Sequence, residues 1–277
     1  MLAPGQVYAP RPGDSLEQRA AVLLDRMTAT RATFTESDLH RAAFYQPESV
    51  ALVREALRSD RVLDLGRDAG GAGRYTTRDY LDAEARLLAA AEKLASRDRF
   101  RLDPAVVVSP PAPDEHEAHR RAAGGFDATA RDAAALATAS SDLSGGDLAA
   151  RQRAAVLHAT TAADLAQIAG GDRAGRAEAA RAIAAAYREH GDEVRGAALT
   201  AKGASALAAA TGVRSRTLAT LESSWAEGSG RLHARSVLLL EEAGLLDVRR
   251  LGGILAEAEE RGAKVVLLGD PGRLQAI

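Results

Sequence analysis

The chain has 277 residues, 46% hydrophobic but only 4% aromatic, and carries a formal net charge of -2 at pH 7. That length holds one large or two modest domains, and a core of Ala, Leu and Val argues for helices and parallel strands against an all-β sandwich. The balanced charge gives no global field toward nucleic acid or acidic membranes, and the lack of cysteine excludes disulfides, thiolate metal sites and Cys nucleophiles.

The opening MLAPGQVYAPRPGDS has no basic-then-apolar signal pattern, and no apolar run approaches membrane-spanning length. A cytoplasmic protein without membrane contact is expected. Lysine occurs only as Lys93, Lys202 and Lys264, with arginine supplying the remaining positive charge, so these three stand out against an arginine-rich background.

After a Pro- and Gly-rich start, DSLEQRAAVLLDRMTA predicts a helix capped by Asp14 or Ser15, with Leu16, Ala20, Leu23, Leu24 and Met27 on one face. TFTESDLHRAAF predicts a second, with Thr35 capping and Asp38 three residues on. PESVALVREALRSD predicts a third, with Val50, Val53, Ala56 and Leu57 sharing a face. RVLDLGRDAGGAGRYTT reads as two short strands around a Gly-rich turn. Three helices and a hairpin make a small winged-helix-like unit, and RDYLDAEARLLAAAEKLASR is a long amphipathic helix leading out of it.

Residues 103–147 are rich in Pro, Gly, Ser, Ala and charge and read as a linker or weakly ordered insert. The expected domains are therefore 1–102, helical and winged-helix-like, and 148–277. In the latter, LAARQRAAVLHATT, a glycine loop with its helix, AKGASALAAATG and DVRRLGGILAEAEERG alternate with the strands LAQIAG, VRGAAL, SVLLLEE and AKVVLLGD. Strands without polar alternation, separated by helices, predict a parallel sheet buried on both faces. Gly191 and Gly262 stand where helix C-caps belong.

Three stretches could carry chemistry. IAGGDRAGRAEAA has the outline of a phosphate-binding loop, Gly170, four residues, Gly175, but Arg176 and Ala177 stand where the template has Lys and Ser or Thr. Arg keeps the charge but is bulky and planar, and Ala offers magnesium no hydroxyl. Asp172 adds negative charge to an anion nest. The pattern fits an ordinary glycine turn as well as a nucleotide loop. SVLLLEEAG ends an apolar strand in Glu241 and Glu242, either a metal-and-water pair or strand-end charges in solvent. VVLLGDPGRLQAI ends another in Gly269-Asp270-Pro271, which alone is a common turn. Parallel strands place all such ends on one edge, where ligands bind, so the three converge if the strands are neighbours.

In this order, QRAAV, the glycine loop, VRGAALTAKGASAL, SRTLATLESSW, VLLLEEAG and GAKVVLLGDPGRLQAI resemble the RecD-like helicase region of conjugative transfer relaxases of the TraA/MobA type. LLDRMTATRATFTESDLHR and RYTTRDYLDAEARLL resemble the small domain preceding that motor. The resemblance implies a RecA-like P-loop NTPase domain of an ATP- and Mg2+-dependent motor on single-stranded DNA, with conjugative transfer or relaxosome proteins as further partners.

By motif match, Gln152 reads adenine, Gly170, Gly175, Arg176 and Ala177 form the phosphate loop, Glu241 holds the metal, and Glu242 is the catalytic glutamate. Asp270 and Arg273 fall in the next motif, Arg273 replacing a glutamine that senses the γ-phosphate. Lys202, Arg216 and Thr217 fall in stretches lining the DNA side. The second RecA-like domain and the relaxase domain are expected to be absent. No metal site is expected: the histidines form no cluster, and HEAH at 116–119 reads as solvated surface. Trp225 reads as packing, and the Arg pairs at 120–121 and 249–250 as solvated faces.

Substitutions concentrated at the catalytic positions imply a RecA-like shell without its hydrolytic centre. Three readings follow: a DNA- or partner-binding module without hydrolysis, a residual ATPase that needs a partner domain, or a remnant without a role.

Overall fold

The computed structural model describes residues 13–104, 148–169 and 173–269. Two compact units emerge: residues up to 90 with 246–256, and residues 91–245 with those from 257 on.

In the first unit, local capping sets the helix starts. Helix α1 (Leu16–Thr30) opens on Ser15, whose hydroxyl accepts from the Gln18 N–H while Ser15 N–H donates to the Gln18 side chain. Thr35 and Asp38 repeat the device at α2 (Glu36–Ala43). Burial works against the Asp38 charge, but hydrogen bonds from Thr35 and the nearby Arg31 hold its carboxyl below the usual range.

Helix α3 (Ser49–Arg58) follows. Strands β1 (Phe34–Thr35), β2 (Val62–Arg67) and β3 (Gly73–Thr77) form an antiparallel sheet in the order β1-β3-β2. The two-residue β1 has no signature in the sequence, since it is too short to alternate. The core joins Leu23, Leu24 and Met27 of α1 to Phe34, Leu39, Leu52, Val53 and Ala56.

Two expectations change in this unit. Val50 is 60% exposed, because α3 turns Leu52, Val53 and Ala56 inward instead. Arg249 is not a solvated face: it donates to Thr28 O and Oγ1 at 3.3 and 3.1 Å and lies 5.9 Å from the Tyr80 ring centroid. The pair at 120–121 and HEAH lie outside the described residues. Helix α4 is Arg78–Ala95.

The second unit contains the helices α5 (Leu148–Thr161), α6 (Arg173–Glu189), α7 (Ala201–Thr211), α8 (Leu218–Ala226) and α9 (Val248–Arg261). Of α9, only residues from 257 on belong to this unit. Between the helices run β4 (Leu165–Ala169), β5 (Glu193–Ala198), β6 (Ser215–Thr217), β7 (Ser236–Glu241) and β8 (Lys264–Gly269). They form one parallel sheet, ordered β4-β8-β7-β5-β6. Every residue of β7 is buried, as a central parallel strand requires. This is the α/β architecture expected of a RecA-like domain, preceded by a largely helical part.

Gly191 and Gly262 take φ of 89° and 70° at helix ends, where residues with a Cβ are strained. Trp225 is buried, its indole N–H donating to Gly230 O at 3.0 Å.

At the N-terminal ends of β4 and β8 lies a buried polar cluster. Lys264 Nζ donates to Ala162 O and Ala163 O at 3.1 and 2.5 Å, and sits 5.8 Å from the Tyr187 ring centroid. The Tyr187 hydroxyl lies 3.1 Å from both Phe100 O and Ala159 O. Asp164, fully buried, accepts from Arg99 Nε at 3.2 Å. Residues 97–102 are thereby strapped to the sheet unit, with Phe100 and Leu102 in its core.

Candidate functional site

The strand order decides whether the three motif stretches meet. β8 lies between β4 and β7, so the strands ending in the glycine loop, in Gly269 and in Glu241 are contiguous. Their register aligns the ends: Ala169 pairs with Gly269, and Leu268 with Glu241. The alignment continues across the sheet, Glu241 pairing with Ala198 of β5 and Ala198 with Thr217 of β6. One row of C-terminal ends therefore runs through all five strands. With strands about 4.8 Å apart, β4 stands roughly 10 Å from β7, and β7 roughly 10 Å from β6.

On the β4 side, α6 starts at Arg173, so Gly175, Arg176 and Ala177 all lie within it. In the phosphate-loop template, the residues before the lysine keep the backbone open to present N–H groups. Here residues 173–175 are wound into the first helical turn. Arg176 is only 9% exposed and Glu241 only 8%. Ala177, in the same turn as Arg176, brings a methyl group where the template has a metal-binding hydroxyl.

Glu242 follows directly, with φ of 57°. A left-handed, non-glycine residue costs on the order of 1 kcal/mol, and such residues cluster where the backbone is over-determined by function or packing. The half-buried Glu242 opens a short helical turn (Ala243–Leu245), with Glu242 O accepting from Leu245 N–H at 2.9 Å. Gly170, Asp270 and Arg273 lie outside the described residues, as does the side chain of Gln152 at the start of α5.

On the β5–β6 side the row carries Lys202, Arg216 and Thr217. Thr200 caps α7, its hydroxyl accepting from Gly203 N–H at 3.0 Å, and Lys202 projects into solvent from the first turn. Gly203 allows this close seating, since a Cβ there would stand 3.1 Å from Ala198 Cβ. Thr217 caps α8, accepting from Thr220 N–H at 3.2 Å. Arg216 Nη1 donates to Ser224 Oγ at 3.1 Å, which orients its guanidinium along α8. Thr200 was not singled out by sequence. Its only signature is a hydroxyl residue immediately before an apolar helix.

Among the described residues, no helix is long and apolar enough to cross a membrane.

Residues 147–277 match a family model described as AAA domain. Over 268 residues, 93% of its length, the chain is 29% identical to the conjugal transfer protein TraA of Rhizobium radiobacter. It is 28% identical over 273 residues, 95% of its length, to the probable conjugal transfer protein TraA of Sinorhizobium fredii. A conjugal transfer protein TraA of Agrobacterium fabrum is 27% identical over 268 residues. The chain spans 22% of the length of each of these relatives. A five-stranded parallel sheet with this row of strand ends, together with likeness over nearly the whole chain, makes residues 147–277 similar to an AAA domain and the chain similar to a part of conjugal transfer protein TraA.

Proposed function

We propose that this chain is a helicase-like segment of a conjugative DNA-transfer relaxase that contacts single-stranded DNA and does not itself hydrolyse ATP. The observation that carries the reading is the state of the row at β4 and β7. Arg176 is buried in the first turn of α6, with Ala177 beside it. A slender lysine can extend along a phosphate; a planar guanidinium held at a helix start cannot occupy the same space. Mg2+ demands near-octahedral oxygen ligation, and the loop contributes a methyl group in place of its usual oxygen. The residues present therefore do not fit Mg-ATP as a phosphate loop holds it, and no catalytic step is assigned to Glu241, Glu242 or Arg273.

The DNA reading rests on the other half of the row. Lys202, Arg216 and Thr217 lie within one helical turn of the ends of β5 and β6. Cation and hydroxyl donors on a common edge suit a phosphate backbone.

The test is steady-state ATP hydrolysis by the purified chain with Mg2+, with and without single-stranded oligonucleotide. No turnover above background is expected. Turnover stimulated by single strands and abolished by Arg176→Ala would overturn the reading in favour of a residual ATPase. The double change Arg176→Lys with Ala177→Thr is expected to create measurable binding of a fluorescent ATP analogue. Oligonucleotide binding that falls at least fivefold in Lys202→Ala with Arg216→Ala, at unchanged melting temperature, checks the DNA half.

A further inference from the structure

The first unit carries an aromatic feature unrelated to the sheet edge. Between α2 and α3, Phe44 and Tyr45 are 71% and 94% exposed. Their rings meet edge to face, with centroids 5.0 Å apart and planes at 88°. Large aromatic side chains this open, outside any core, forgo the burial that stabilises such residues elsewhere and call for a partner.

The segment holding them is fixed. The Gln46 N–H donates to Ala43 O at 2.8 Å. From α1, Arg19 reaches across to donate to Pro47 O and pairs with Glu48 at 3.6 Å. Glu48 itself is left-handed, with φ of 56°, and its carbonyl starts α3 by accepting from Leu52 N–H at 2.9 Å. An aromatic pair on a backbone so constrained loses less entropy on binding than one on a free loop.

The exposed side of α3, the helix that follows, is cationic and apolar. Val50, Arg54 and Arg58 are spaced four apart on α3 and all exposed, so they form one line along the helix. Consecutive members stand about 6 Å apart along the helix. Neither arginine has a carboxylate partner among the described residues, whereas Glu48 is engaged by Arg19 and Asp38 by Arg31 and Arg41. Aromatic faces for bases, followed in the chain by a helix with unpaired arginines for phosphates, are the chemistry of single-stranded nucleic acid binding.

We propose that Phe44, Tyr45, Arg54 and Arg58 form a second single-strand-binding surface, on the winged-helix-like unit, in which bases stack on the aromatic pair while α3 contacts phosphates. The inference rests on the reading that the chain handles single-stranded DNA.

The probe is a fluorescent oligothymidylate of about 20 nucleotides, titrated against the whole chain at several salt concentrations. Stacking contributes about 1–3 kcal/mol per base, so Phe44→Ala with Tyr45→Ala is expected to weaken binding by tenfold or more. An abasic oligonucleotide of equal length should bind the wild type as weakly as thymidylate binds that variant. Arg54→Ala with Arg58→Ala should flatten the logarithmic salt slope by about 1.4, the value for two phosphates on a single strand. All four side chains are on the surface, and melting temperatures confirm intact folds.

If thymidylate binding is unchanged in both double variants but lost in Lys202→Ala with Arg216→Ala, this surface is refuted and the sheet-edge reading stands. If the wild type binds no oligonucleotide, both fall. Concentration-dependent self-association that Phe44→Ala with Tyr45→Ala abolishes, at unchanged thymidylate affinity, assigns the pair to a protein contact and also overturns the proposal.

Discussion

Lys264 places an amine where no solvent reaches it. Burial lowers its pKa to about 8, and the charge of Asp164 only partly restores it. The sign of the consequence follows from proton counting. Between about 8 and the ordinary 10.5, the unfolded chain holds a proton on Lys264 that the folded chain has released. The unfolded state then binds more protons, so this group makes folding more favourable as pH rises through that window. We expect Lys264→Met to lose this increment: wild type minus variant stability, from urea midpoints at pH 7 and pH 9.5, should grow toward the higher pH. A difference that stays flat or shrinks would mean that the folded amine keeps its proton throughout, as a solvated lysine does. His158, lowered by its own burial and by the Lys264 charge, titrates well below this window and does not confuse it. Tyr187, raised by burial, stays protonated across it.

At the level of elements, the close packing of β5 on its neighbours has one decisive residue. A Cβ at Gly196 would fall 2.1 Å from Ser215 Oγ, 2.9 Å from Ser215 Cβ and 2.8 Å from Leu207 Cδ2. Leu207 belongs to α7 and Ser215 to β6, so the glycine sets how tightly helix and edge strand close on β5. Gly196→Ala would reduce the entropy of the unfolded chain by less than the clash costs. It is expected to destabilise by about 1–3 kcal/mol, read as a lower urea midpoint at unchanged slope. Unchanged stability would show that β6 can move away freely. The sequence carries four strands of this sheet plainly, because buried parallel strands are unbroken apolar runs and Gly191 and Gly262 mark helix ends, whereas the three-residue, half-buried β6 is too short and polar to show. It carries the strand order less directly: β8 is last in the chain yet sits between β4 and β7. Only that placement puts the strand ends at Ala169, Gly269 and Glu241 side by side. The exposed Phe44 and Tyr45 left no sequence signal, since an aromatic pair next to an apolar helix face reads as core. Val50 illustrates the same limit, because periodicity gives a face but a helix can be rotated by one position about it.

For the sheet unit as a whole, what matters is that its two ends carry different side-chain chemistry. The C-terminal ends of the strands carry the row from Arg176 to Thr217, while the N-terminal ends carry Lys264, Asp164, Tyr187 and Arg99. The length of β8 separates them, roughly 17 Å for its five steps at about 3.3 Å each. Sites that far apart contribute to stability additively, within about 0.5 kcal/mol. The combined variant of Lys264→Met, Arg176→Lys and Ala177→Thr should therefore differ from wild type by the sum of its parts, measured by urea midpoints. A coupling above about 1 kcal/mol would show that the loop end senses the buried cluster.

Such independence amounts to a division of labour with a historical consequence. A scaffold anchored at one end of its strands lets the residues at the other end be rewritten one at a time, without passing through an unfolded intermediate. Under the proposed function, loss of a hydrolytic centre, and equally its reinstatement, would then be a short walk in sequence space, open to selection at each step.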